Sequence, residues 1–343
     1  MRVVRLSGIW LCAVASLAFA QNAANQKPAA VANGLAPIEP PEWLFPIDPA
    51  SLVPADKPAK PDDTELLSVP GSSEKFTRAR INDAFNPPDW RPASHTPMPD
   101  VVARGRKPNV MACAFCHLPG GQGRPENSPL AGLPEAYIRQ QLLDYRSGKR
   151  KAMGPEQYLP GVNMVKTAKA LTDAEIDESA KYFSQQKLRR RVYVIESLRI
   201  PRAEPAAWLY YEHPGTEDLD GRLLEMTQDL PRHELRDDNL EYYAYVPPGA
   251  LNRGRKLVVT GNSLSDNTPR TAACSQCHLA NLKGTDVIPP IAGRSPTYLL
   301  RQMLAFRNGM RTNEASPQMN AVVEKLTLAE MIEIVAYVAS LPP

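Results

Sequence analysis

Apolar residues recur at helical spacing in two distant parts of this chain, with matching residues between them. Ile138, Leu142 and Tyr145 fall at i, i+4 and i+7, a spacing that gathers side chains on one face of a helix. Leu299, Met303 and Phe306 repeat that face 161 residues later. A second helix follows in each copy, with Ile176, Ala180 and Phe183 matched by Met331, Val335 and Val338 at an offset of 155. Both of these later helices open on a capping box, Thr172-x-x-Glu175 and Thr327-x-x-Glu330, in which side chains satisfy the unpaired N–H groups of a first turn. The offsets differ by six residues (161 less 155), an insertion in the first copy after its first helix.

The repeat runs well beyond the helices. At the first offset Gly123 goes to Gly284, Pro129 to Pro290, Ala131 to Ala292, Gly132 to Gly293, Tyr137 to Tyr298, Gln141 to Gln302 and Arg146 to Arg307. Upstream, Arg104-Gly105-Arg106-Lys107 matches Arg253-Gly254-Arg255-Lys256, each closing a short helical pattern that begins after a proline. The pattern predicts two copies of one small helical domain, over 99–186 and 247–343.

Other stretches lack this period. Residues 1–20 carry Arg2 and Arg5, an apolar run from Leu6 to Leu17 and then Ala18-Phe19-Ala20, the layout of a secretory signal peptide cleaved before Gln21. No other apolar run nears the ~20 residues needed to span a membrane. Proline makes up 35 of 343 residues, about twice the usual share, and many fall in 21–98. That segment reads as an extended tether to about Asp63. An irregular lead-in follows, which Phe76, Phe85 and Trp90 staple onto the first domain. Between the copies, 187–246 holds β-branched and aromatic runs at Val192 to Ile195, Trp208 to Tyr211 and Tyr242 to Val246. These predict two or three short strands. The basic run Arg189-Arg190-Arg191 reads as a solvated linker face.

Charge changes the picture little. The formal +3 falls to about +1 once Arg2 and Arg5 are removed (38 basic against 37 acidic residues), which gives no sign of a nucleic-acid surface. Cysteine changes it more. Cys12 leaves with the signal peptide, and the remaining four occupy Cys113-Ala-Phe-Cys116-His117 and Cys274-Ser-Gln-Cys277-His278, again 161 apart. A bare C-x-x-C suits a redox pair or half a zinc site. With the adjacent histidine, the thiols suit thioether bonds to one haem and the imidazole its iron. The chain therefore predicts two covalent haem c groups, with His117 and His278 as iron ligands.

The sixth iron position decides between substrate chemistry and plain electron transfer. Met164 and Met319 keep register between the copies and are the predicted distal ligands; Met153 and Met310 lie nearby but do not match. His95, His213 and His233 have no counterparts and read as surface or capping residues. A carbonyl at Pro129 and Pro290, twelve residues past each histidine, is placed to fix the proximal imidazole, and Tyr137 and Tyr298 open the helices facing each haem.

With these strings in place, the chain resembles the di-haem class I cytochromes c of the cytochrome c4 or tandem c553-like type. The matching segments are C-x-x-C-H, Pro-Leu-Ala-Gly (129–132) or Pro-Ile-Ala-Gly (290–293), and Tyr137-Ile-Arg-Gln-Gln-Leu or Tyr298-Leu-Leu-Arg-Gln-Met. The resemblance implies an all-α protein of two tandem cytochrome c domains, with the proline-rich segment and a small β-containing insert as departures. It also implies a soluble periplasmic carrier passing electrons from a respiratory or dehydrogenase donor to an oxidase or another cytochrome, with no catalytic residues. The alternatives are a di-haem peroxidase, which needs one open haem, and a cytochrome subunit of a dehydrogenase complex.

Overall fold

The structure is a computed structural model that describes residues 34–49 and 64–343. The signal-peptide reading of 1–20, and most of the tether, lie outside the described residues. Helices α1 (Arg78–Ile81) and α2 (Asp100–Ala103) lead into α3 (Cys113–His117), α4 (Glu135–Ser147), α5 (Leu159–Ala170) and α6 (Asp173–Ser184). Then come strands β1 (Val192–Glu196), β2 (Arg199–Ala206), β3 (Leu209–Asp218) and β4 (Leu224–Thr227), helix α7 (Leu230–Glu234) and strand β5 (Tyr242–Val246). The second helical set is α8 (Ala250–Thr260), α9 (Cys274–His278), α10 (Pro296–Arg307), α11 (Ser316–Val323) and α12 (Leu328–Ser340).

The periodic faces are the buried ones. Ile138 and Leu142 of α4 join Ile176, Ala180 and Phe183 of α6 in one core. Met303 and Phe306 of α10 join Met331, Val335 and Val338 of α12 in another. Both capping boxes form: Glu175 N donates to Thr172 Oγ1 at 3.2 Å and Thr172 N to Glu175 Oε2 at 2.7 Å, with 3.2 and 2.9 Å for Thr327 and Glu330. The matched Arg-Gly-Arg-Lys strings, however, take two conformations. Gly105 lies past the end of α2 with φ +64, whereas Gly254 sits inside the eleven-residue α8. Pro108 disfavours helix at Lys107 in the first copy; Leu257 at the matching place lets the second helix continue.

The chain is not all-α: the insert is β-containing as expected, but its sheet is larger than expected. Five strands form one mixed sheet in the order β1-β5-β4-β3-β2, where two or three were expected. Two strands were not foreseen, β4 and β2, and β2 carries Pro201 and Pro205. It is an edge strand paired only to β3, so one side of its backbone needs no ladder donors. The sheet packs toward the second copy: Val246 and Leu223 belong to the core of α10 and α12, and Val194 packs against it. Arg191 does not face solvent; it is buried and donates to Leu240 O and Gly123 O, both at 2.8 Å.

Residues 34–49 are not a loose tether. They lie across α10 as a strap, with Leu44 and Phe45 buried in the second core. Arg301 donates to Leu44 O at 2.6 and 3.0 Å, and Asn308 holds both the N–H and the carbonyl of Ile38. The lead-in is stapled to both the first domain and the insert: Lys107 Nζ lies 5.4 Å from the Phe85 ring centroid, while Trp90 meets Phe76 edge-on at 4.8 Å and donates through Nε1 to Leu235 O at 2.7 Å.

Candidate functional site

Each C-x-x-C-H forms a single five-residue helical turn, which puts its two thiols on neighbouring positions of one face. The chain leaves both turns through a left-handed leucine, Leu118 at φ 66 and Leu279 at φ 65, and folds back so that Gly123 N and Gly284 N donate to His117 O and His278 O. Those glycines have φ +68 and +63, and a Cβ on either would strike the backbone of the returning loop.

The returning loop fixes each imidazole. His117 Nδ1 lies 2.8 Å from Ser128 O, and His278 Nδ1 lies 2.9 Å from Pro289 O. A carbonyl only accepts, so Nδ1 carries the hydrogen and Nε2 presents its lone pair. Burial pulls His117 down to about 4, although the Ser128 bond opposes this, and lowers His278 too, which favours the neutral ring that a metal ligand must have. The accepting carbonyls thus precede Pro129 and Pro290 by one residue. The prolines favour an extended residue before them, which aims those carbonyls. Their own carbonyls accept instead from Arg294, at 2.7 Å each, and Ala131 O accepts from it at 2.9 Å. One buried guanidinium thereby ties the loops of the two copies together.

Cys113, Cys116 and His117 open on a cavity of about 160 Å³. Leu142, Met164 and Phe183 give it an apolar wall, and Met153 reaches it as well. In the second copy Cys274 and Met319 both pack on the second core, while Cys277 is exposed. The four thiols are unbridged, and burial pushes Cys113 up to about 12 and Cys274 to about 11. A redox dithiol has the opposite character, a depressed thiol. Paired thiols, a neutral imidazole with a free Nε2 and an apolar cavity fit a covalently attached haem.

The two tyrosines do not each face their own haem site. Tyr137 and Tyr298 both line the first cavity, because α4 and α10 meet there. Beside them stand Arg150 and Arg311, also 161 apart and both buried. Arg150 donates to Gln141 Oε1 and Gln302 Oε1, each at 2.8 Å; Arg311 donates to Gln141 Oε1 at 2.7 Å and Gln302 Oε1 at 3.3 Å. Arg311 also reaches Tyr137 Oη at 3.3 Å. Burial, the largest single influence, would raise the Tyr298 pKa, yet Arg150, the Ser128 bond and Arg311 together bring the phenol below its ordinary value. These side-chain partners are amide and phenol oxygens, not carboxylates. Two buried cations so placed call for an anionic group in the cavity, since unpaired buried charge is costly.

Sequence reasoning missed these arginines, although the signal was present. The offset of 161 runs on past Arg146 through Gly148/Gly309 to Arg150/Arg311 before the insertion breaks it. None of the three unmatched histidines lines the first cavity. His95 bonds Asp89 at 3.1 Å, and His213 lies on β3, 3.7 Å from Glu204. His233 is neither a surface nor a capping residue: it is wholly buried, 3.1 Å from Tyr242 Oη and 3.7 Å from Glu126.

Comparison with known proteins finds similar sequences among the cytochromes c. Residues 102–187 match the cytochrome c family model. A cytochrome c4 of Stutzerimonas stutzeri is 24% identical over 236 residues, 68% of this chain and 85% of that protein. A cytochrome c-552 of Acidithiobacillus ferridurans is 26% identical over 233 residues, 67% of this chain and 73% of that protein. A thiosulfate dehydrogenase electron acceptor of Stutzerimonas stutzeri strain A1501 is 26% identical over 239 residues, 69% of this chain and 82% of that protein. The domain and these relatives imply covalently bound haem c, two groups for a di-haem chain.

Proposed function

We propose, from the cytochrome c domain in residues 102–187 and the likeness of the chain to the cytochromes c4, that this protein is a di-haem electron carrier. Its two haem domains occupy 99–186 and 247–343. Haem c supplies a one-electron couple at iron. The chain's residues do the rest. Cys113, Cys116, Cys274 and Cys277 hold the groups by thioethers. His117 and His278, fixed through Nδ1, would offer Nε2 to the iron, and Met164 and Met319 would offer a thioether. A soft sulfur ligand favours the ferrous state and closes iron to substrate, so the protein moves electrons and makes no bonds.

The carrying observation is the pair of buried arginines, one from each copy, between α4 and α10. Arg150 and Arg311 offer ten N–H donors between them and receive only amide and phenol oxygens from side chains. Haem propionates are the carboxylates such a site would take. Tyr137 and Tyr298 stand beside them as further donors.

Among the described residues no helix is long and apolar enough to cross a membrane. With the leader sequence, this supports a periplasmic carrier. The likeness to a thiosulfate dehydrogenase electron acceptor supports redox proteins as partners, and the reading takes a dehydrogenase as donor and an oxidase or second cytochrome as acceptor. The test is the haem content of the purified protein. A pyridine haemochrome assay should give two haem c per chain, with a thioether–iron band at the red edge of the oxidised spectrum. One haem per chain, or a high-spin oxidised spectrum, would overturn the reading.

A further inference from the structure

Residues related by the 161 offset should be equally exposed if the two copies were used alike, and around the haem motifs they are not. Leu118 is 0% exposed and its counterpart Leu279 is 44%. Glu126 is 6% exposed and its counterpart Val287 is 71%. The local backbone is the same in both: Arg124 N donates to Asn127 O at 3.1 Å, and Thr285 N to Ile288 O at 2.8 Å. The difference lies in what covers them.

In the first copy the chain covers itself. Arg236, just past α7, lies with its guanidinium 3.5 Å from the Phe115 ring centroid and donates to Phe115 O at 2.7 Å. Arg191 reaches Gly123 O, and Ala84 O of the lead-in accepts from Ala112 N at 2.9 Å. Among the described residues nothing covers the second copy's turn in the same way. Its turn leaves two aliphatic side chains in water beside an exposed Cys277, with Lys283 and Asp286 of opposite sign flanking Val287.

We infer that the chain exchanges electrons with its partner at the face formed by Cys277, Leu279 and Val287, the equivalent face of the first haem being closed by the insert. This rests on the two-haem reading above. The occupant is a redox protein whose contact face is apolar at its centre: the patch offers aliphatic contact and no net charge, so steering by a charged partner has little to act on. In the forward direction one electron passes to the partner, leaving iron(III) on the second haem and the partner reduced by one electron. No proton or ligand moves.

The test uses the full-length holoprotein with a blue-copper protein of apolar contact face as probe. In Val287→Glu and Leu279→Glu the second-order oxidation rate by copper(II) should fall about tenfold, while oxidation by a small cobalt(III) complex stays within about twofold. Carbene labelling of Leu279 and Val287 in the unmutated protein should drop when the copper protein is added. Unchanged rates in both variants with unchanged labelling would overturn the proposal. So would a shift of either variant from dimer to monomer in sedimentation, which would make a second copy of the chain the occupant. The haem count of the same preparations reads out the two-haem premise separately.

Discussion

Arg150 and Arg311 donate to the same oxygen, Gln141 Oε1, at 2.8 and 2.7 Å, although they come from different copies of the repeat. Their backbones pair as well: Lys151 N donates to Met310 O at 2.9 Å and Thr312 N to Lys149 O at 2.8 Å. The two halves thus meet about a local twofold that concentrates positive charge beside the first cavity. Ferric iron carries one more positive charge than ferrous, so removing one cation there would relieve the ferric state more than the ferrous. Arg150→Met or Arg311→Met should therefore lower the haem potential by on the order of 50 mV. Spectroelectrochemical titration of each variant checks this, and an unchanged potential would mean that the arginines serve packing alone.

The methionines give a second prediction. Met164→Ala and Met319→Ala should each turn one haem high-spin in the oxidised spectrum and leave the other low-spin. Met153 also reaches the first cavity, so Met153→Ala is the control and should leave both spectra unchanged. A high-spin signal from Met153→Ala instead of Met164→Ala would reassign the ligand.

The Arg106–Glu175 pair makes stability depend on pH. Hydrogen bonding from Arg106, together with the Thr172 bonds, holds the Glu175 carboxyl at about 2, below its ordinary 4.5. The folded pKa is depressed, so this stabilisation is complete above the ordinary value and is lost as pH falls through about 2. Glu175→Gln should melt below the unmutated protein at pH 7, with the gap closing toward pH 2. Thr172→Ala, which removes the cap itself, should cost about 1 kcal/mol in denaturant unfolding.

The contact of α8 with α12 depends on Gly254. A Cβ there would sit 1.9 Å from Glu333 O, so Gly254→Ala must push the helices apart. A loss of about 2 kcal/mol in unfolding free energy is expected, despite alanine's better helix propensity. A stabilised variant would contradict the close approach.

What the sequence disclosed followed from how local each signal was. The faces of α4, α6, α10 and α12 could be read because one helix's period suffices to define them. The capping boxes span only four residues and formed as written. The strap was illegible because Trp43-Leu44-Phe45 is a short apolar run among prolines with no period, and the burial of Leu44 goes with a bond from Arg301, 257 positions away. Strand β2 was hidden by Pro201 and Pro205, which argue against a central strand but not against an edge. Burial of Arg191 and His233 depends on the insert folding back over the first motif, a long-range event that no local pattern encodes. At the haem motifs the residue types were legible and their neighbours were not. The imidazole acceptors were misplaced by one residue, and Tyr298 turned out to serve the other copy's cavity.

Carbon monoxide binding to the fully reduced, unmutated protein tests the central claim most directly, because it asks whether each iron is already closed on both sides. With His117 and Met164 on one haem and His278 and Met319 on the other, the reduced spectrum should not change under carbon monoxide at neutral pH. Rapid formation of a carbonyl complex at either haem would show an open iron and contradict the account.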